Sequence, residues 1–272
     1  MRKSLAGLAG LVLGTVAVAQ PVSEKGLELK RDPAQFKYYS PEAQEEPLPE
    51  KENPFALFVK NTVASRYHTV TGFVMSDGPV NQSLVSLSKP NVFMKGDVLD
   101  GYVWSNLDLK TGTVSEMDFG IDYTFPIAEN VLGGKITGYA ELAHWEYPDG
   151  RLGDNDKVLS GKLSYEGPVS ASIKATQLLT SGRGRSYELA LSKPVELGKL
   201  DDKTSITLTP VISTAHLDDF YGFNGFSNVQ AGVDFSLKRG NLSLDAYIRQ
   251  QEGLQDGFED RTLFGIGVSF SF

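Results

Sequence analysis

Nine carboxylates, Asp100, Asp108, Glu116, Asp118, Asp122, Glu141, Glu188, Asp234 and Asp245, occupy positions that alternate with apolar or small residues. Five cations, Arg66, Lys162, Lys174, Lys238 and Arg249, fall on the same side of that alternation. In a closed sheet all fourteen side chains would face one enclosed space. An excess of carboxylates there makes the potential negative and draws cations. The opposite outcome is that the charges pair into a network that fills and closes a small barrel. Sequence leaves both readings open.

Other chemistry finds less support. A nucleophile needs a base in reach and a group to orient that base. His144, in Ala143-His144-Trp145, shares a face with Leu142 and Ala140, with no serine close by on that face. His68 and His216 each stand without a second histidine. No enzyme is expected, and no catalytic residue is assigned. Asp149, Asp154 and Asp156 could offer oxygens to calcium, but their spacing departs from the EF-hand loop, and a solvated acidic loop is the expected reading. Ser181-Gly182-Arg183-Gly184-Arg185 lacks the Gly-Lys-Ser/Thr ending of a phosphate loop. Cysteine is absent, which excludes disulfides, thiolate metal sites, thiol catalysis and a lipidated N-terminal cysteine. No metal and no cofactor are expected.

The elements that would position these charges are strands. From Arg261 to Phe272, Phe264, Ile266, Val268, Phe270 and Phe272 alternate with Gly265, Gly267, Ser269 and Ser271. That is the period of a strand with one apolar and one small or polar face. The same pattern runs through Asn228–Lys238, Leu242–Arg249, Glu116–Phe125 and Val169–Thr176. Asn61–Met75, Asn81–Ser88, Leu99–Leu109, Gly134–Trp145, Val158–Tyr165, Ser186–Ser192 and Ser205–Ala215 show it less cleanly. Together these predict twelve strands, with ten left open because the boundaries are soft.

A soluble sandwich would produce the same alternation. Here the apolar set is large in nearly every strand, and the polar set is rich in Ser, Thr and Gly rather than in long charged chains. Both features favour a membrane barrel. The hydrophobic share of 40% and mean hydropathy of −0.20 fit such a barrel, since only alternate residues meet lipid. The fold class is therefore all-β, a single antiparallel transmembrane barrel. Its external loops are expected at Ser76–Pro79, Lys110–Val114, Tyr147–Asp156, Ser181–Arg185, Leu217–Phe226 and Gln251–Asp260. Between them lie Glu166-Gly167-Pro168 and Arg239-Gly240-Asn241 as tight turns, and longer connections at Lys89–Val98, Pro126–Gly133 and Pro194–Lys203. The aromatics Tyr147, Phe220, Tyr221, Phe223 and Phe226 read as an interfacial girdle, or as contacts for a glycan or other ligand.

Three domains follow. Residues 1–19 read as a secretory signal peptide, with Arg2 and Lys3 before an apolar run and a small-residue cleavage site at Ala17-Val18-Ala19. Residues 20–54, rich in Pro and Glu, read as a disordered periplasmic segment, with Tyr38-Tyr39 its one adhesive feature. Residues 55–272 form the barrel. The formal charge of −8, without a basic cluster, argues against nucleic acid. The expected partners are outer-membrane lipid, periplasmic chaperones, the outer-membrane barrel assembly machinery and small solutes. Phe264, Phe270 and Phe272 are the candidate assembly signal.

Ser65-Arg66-Tyr67, then Gly72-Phe73-Val74-Met75-Ser76-Asp77-Gly78-Pro79 and Gln82, resemble the opening of the TorF-like family of bacterial outer-membrane porin-like proteins. Trp104-Ser105-Asn106, Glu116-Met117-Asp118, Asp122-Tyr123 and the terminal aromatic strand continue the resemblance, which covers roughly Asn61 to Phe272. One departure is visible: Val70-Thr71 stands where the family often has Trp-Arg before the glycine. The resemblance implies a small passive channel. The functional expectation is an outer-membrane channel for small solutes with a preference for cations; the alternative is a closed barrel anchoring adhesive external loops.

Overall fold

The computed structural model describes residues 55–150, 155–180 and 184–272. The signal-peptide and Pro/Glu-rich segments, Asp154, and the first three residues of the Ser181–Arg185 loop lie outside the described residues.

The chain opens with strand β1 (Ala56–Ala64), then a small hairpin of β2 (Tyr67–His68) and β3 (Val74–Ser76). Long strands follow: β4 (Val80–Pro90), β5 (Val98–Asp108), β6 (Thr113–Val131), β7 (Gly134–Glu146), β8 (Asp156–Glu166), β9 (Ser170–Leu178) and β10 (Arg185–Ser192). Next come β11 (Val195–Asp201), β12 (Thr204–Phe220), β13 (Phe223–Arg239), β14 (Leu242–Gly253) and β15 (Arg261–Ser271). Every neighbouring pair in the large sheet is antiparallel, and β1 pairs with β15 from Phe58↔Ser271 to Ala64↔Gly265. β10 and β11 both pair along β12, so they act as one strand interrupted at Lys193-Pro194. The result is a closed barrel of twelve strands.

Side-chain alternation explains closure. In β15, Phe264 and Ile266 are 59% and 54% exposed, while Leu263 and Ser269 are 6% and 7% exposed. Val85, Val103, Ile121, Leu142, Leu159, Ile173, Leu189 and Leu244 are also exposed, one on each of eight further barrel strands. A wall whose outer face is apolar and whose inner face is polar is stable where lipid, not water, surrounds it. Inside, large and small residues interlock. Gly120 leaves room for the Tyr102 ring, which lies where a side chain at 120 would stand, and the Tyr102 hydroxyl then reaches Glu141 Oε1 at 2.6 Å.

Several predicted boundaries shift for physical reasons. Sequence places a connection at Pro126–Gly133, yet β6 runs to Val131; a bulge between Pro126 and Ala128 absorbs the missing donor. The turn is then only Leu132-Gly133, both at positive φ. Pro194–Lys203 is mostly β11. Its interruption faces Pro210 of β12, where two prolines deprive the ladder of donors and the Lys193 N–H reaches Pro210 O at 3.2 Å. Leu217–Phe226 is not a long loop either, since β12 and β13 extend as a tall hairpin closed at Tyr221-Gly222.

The connection between β4 and β5 keeps its length because Asp97 organises it. Its carboxylate accepts the backbone N–H groups of Val92, Phe93 and Met94 at 2.7, 2.8 and 2.9 Å and the Tyr123 hydroxyl at 2.8 Å. Burial pushes this carboxyl up, but those four donors outweigh it, and the pKa lies below the ordinary carboxylate value. A depressed folded pKa contributes stability that is present above the unfolded value and is lost as pH falls through the folded one. Hydrogen-exchange protection of residues 91–97, corrected for the intrinsic rate at each pH, should therefore fall as pH drops below about 4. Asp97→Asn should exchange faster at neutral pH, by roughly the 1–2 kcal/mol of a lost charge-assisted bond, without that acid dependence.

Candidate functional site: an internal hairpin over a carboxylate chamber

Sequence alternation carries the first strand to Met75, but the ladder ends at Ala64, which pairs with Val80. The chain between them, residues 65–79, turns into the barrel at the mouth where the β5–β6, β7–β8, β12–β13 and β14–β15 connections also lie. β2 and β3 pair there through Tyr67↔Ser76 and His68↔Val74. Tyr67, His68, Val70, Thr71, Met75 and Ser76 are all buried. The physical reason is legible in Phe73-Val74-Met75: apolar side chains on both faces suit a segment enclosed on both sides, not one between lipid and water.

The hairpin is gripped at several levels. The Phe73 ring lies 5.3 to 6.1 Å from the rings of Phe220, Tyr221, Phe223 and Phe258. Phe220, Tyr221 and Phe223, read from sequence as girdle residues, thus form an internal clamp, and of that group Phe226 is the exposed member. Tyr67 packs on Trp104 at 5.3 Å and its hydroxyl bonds the Glu116 carboxylate. Asn106 Nδ2 donates to Ser76 Oγ at 3.4 Å and to Ser115 Oγ at 2.6 Å. Asn228 Nδ2 donates to Val70 O at 3.2 Å. Gly72, at φ 95°, turns the tip; a Cβ there would stand 2.6 Å from Asn228 Nδ2. At the rim, Asp77 pairs with Arg66 at 3.0 Å and with Arg261, which also holds Glu259.

The motifs that carry the family resemblance meet at this point. Tyr67, Gly72, Phe73, Ser76, Trp104, Asn106 and Glu116 lie far apart in sequence and together seat the hairpin. Sequence reading found the residues and missed their convergence. Arg66 needs a correction: with the strand ending at Ala64, it sits at the rim, its side chain 37% exposed, and not on a strand face within the barrel.

The remaining charged residues divide by position. Asp100, Asp108, Glu116, Asp118, Asp122, Glu141, Glu188 and Arg249 are buried; Lys162, Lys174, Asp234, Lys238 and Asp245 are partly buried. Asp108 caps the next turn, accepting the N–H groups of Lys110 and Thr111 at 2.9 and 3.1 Å. Arg249 donates to both oxygens of Asp234 at 2.8 and 2.9 Å. Lys174 lies 3.4 Å from Glu141, and Lys162 sits 5.1 Å over the Tyr139 ring. Asp100 accepts from Ser88, and register sets Asp122 between Asp100 and Glu141. Two further cations escaped the sequence reading: Lys60, 3.5 Å from Asp245, and Lys135, 3.5 Å from Glu166. Lys60 precedes the alternation that begins at Asn61, whereas Lys135 lies within Gly134–Trp145 on the face of Glu141, where the pattern did carry a signal.

Beneath the hairpin is a chamber of about 90 Å³. Glu116, Asp118, Glu141, Glu188 and Lys174 line it together with Trp104, Trp145 and Tyr147. A hydroxyl chain crosses above it: Tyr147 and Tyr221 are 2.9 Å apart, and Tyr221 donates to Asp156 at 2.9 Å. Asp156 is thereby engaged in the barrel mouth, and among the described residues no cluster of three His, Cys, Asp or Glu is placed to hold a metal. Of the histidines, His144 faces outward beside Glu146 at 3.4 Å, His216 packs on Phe226 at 5.0 Å, and His68 is inside the hairpin.

No protein-family model and no curated protein matches the chain. Among solved structures it is similar to the KdgM porin in complex with disordered oligogalacturonate, with 10% identity over 80% of this chain and 99% of that one, TM-score 0.48. The COG4313 outer membrane channel from Pseudomonas putida F1 shares 13% identity over 84% and 100% of the two chains, TM-score 0.48. LpxR from Salmonella typhimurium shares 6% identity over 78% and 99%, TM-score 0.47.

Proposed function

We propose that this chain is a porin-like channel of the bacterial outer membrane, of the TorF-like kind, through which small solutes diffuse passively with a preference for cations. The observation that carries this reading is a polar, carboxylate-lined interior inside an apolar wall, filled at one mouth by a chain segment and not by the wall itself. Lumen side chains Asp100, Glu116, Asp118, Asp122, Glu141 and Glu188 set the sign of the field, and the hairpin sets how much of the lumen is open. Export by the 1–19 signal peptide, passage with periplasmic chaperones and assembly through Phe264, Phe270 and Phe272 complete the proposal; residues 20–54 serve as a periplasmic spacer. Planar-bilayer recording under a salt gradient tests it. Discrete currents reversing on the cation side are expected, whereas silence from both the full chain and a hairpin-free chain would favour the closed anchor.

A further inference from the structure

We infer that the chamber under the hairpin is a binding site for a compact organic cation, an alkylammonium or guanidinium group. Among the described residues, four lining carboxylates against one lining ammonium leave a formal charge of −3. Lys174 is engaged by Glu141, 3.4 Å away, whose other oxygen accepts the Tyr102 hydroxyl. Glu116 and Asp118 are different. They are only 4% and 6% exposed, and among the described residues Glu116 Oε2 and Asp118 Oδ1 have no hydrogen-bond partner. Carboxylate oxygens held out of water without donors favour a ligand that supplies N–H groups and positive charge.

The walls narrow the class. Both tryptophans of the chain, Trp104 and Trp145, line the chamber beside Tyr67 and Tyr147. Aromatic faces attract diffuse organic cations. A metal ion would instead need several converging oxygens, and among the described residues no such group is formed. A volume of about 90 Å³ suits a few heavy atoms, which restricts the ligand to a head group or a very small amine. The site depends on the seated hairpin and not on conduction, so it stands or falls separately from the channel reading.

The placement of both tryptophans supplies the readout. Titrating methylguanidinium or ethylammonium at millimolar concentration into the full chain in detergent should change tryptophan fluorescence saturably. Methylurea, the uncharged counterpart of the first, should not. Glu116→Gln and Asp118→Asn should each weaken the apparent affinity about tenfold, as removal of one charge-assisted contact requires. Equal responses to methylguanidinium and methylurea would overturn the inference, as would the absence of saturation. The comparison of charged and neutral ligand on the unaltered chain decides the matter even if the substituted chains do not assemble. Loss of this binding with bilayer currents intact would remove the site and leave the channel.

Discussion

Replacing residues 65–79 with Asn-Gly should raise single-channel conductance by on the order of tenfold or more, because it removes the segment that fills one mouth of the lumen. The barrel has the geometry to tolerate the change. Ala64 and Val80 are already paired, so the two strands meet where a two-residue turn closes an antiparallel pair, and Asn-Gly is the sequence that turn prefers. All twelve wall strands keep their ladders. What disappears is the clamp on Phe73, the Tyr67–Trp104 contact and the Asp77 pairs. Detergent-resistant mobility on gels should stay that of a folded barrel while the current grows. Unchanged conductance in a folded, hairpin-free barrel would mean that the hairpin does not control the path.

The second large effect is on stability. Lys174→Met should cost about 3 kcal/mol, since it leaves Glu141, a nearly inaccessible carboxylate, without its opposite charge. Glu141→Gln alone should cost less, because the amide still accepts from Tyr102. The double substitution should recover most of the loss, with a coupling of about 2 kcal/mol between the two sites. Urea unfolding of the barrel in lipid vesicles measures all three. A single-substitution cost under about 0.5 kcal/mol would show that water screens this pair as it does a surface one.

How much of this was legible in the chain depends on the local pattern. β15 could be read nearly to both ends, and β13 and β14 at the ends joined by Arg239-Gly240-Asn241, because there one face meets lipid and the other the interior; at the opposite mouth both strands run four or five residues past the reading. The wall's twelve strands and the buried placement of Glu116, Asp118, Asp122 and Glu141 follow from the same alternation. The hairpin did not, because Tyr67, Thr69, Phe73 and Met75 continue the odd-numbered rhythm of β1 after the ladder has stopped. Its one sequence signal was the apolar run Phe73-Val74-Met75 next to Gly72. Phe220, Tyr221 and Phe223 misled for a related reason: aromatic residues at strand ends suit a membrane interface and an inward clamp equally well. Pro126 and Pro194 suggested loops where a bulge and a strand interruption absorb them. The pairing of Lys60 with Asp245 joins β1 to β14 across β15, a relation between strands that no single-strand periodicity contains.

The most direct measurement is the reversal potential of the hairpin-free barrel across a potassium chloride gradient, before and after neutralising Glu116, Asp118 and Glu188 to their amides. A carboxylate-lined path predicts a cation-side potential that moves toward zero in the substituted barrel. An anion-side potential, or one unchanged by the three substitutions, would contradict it.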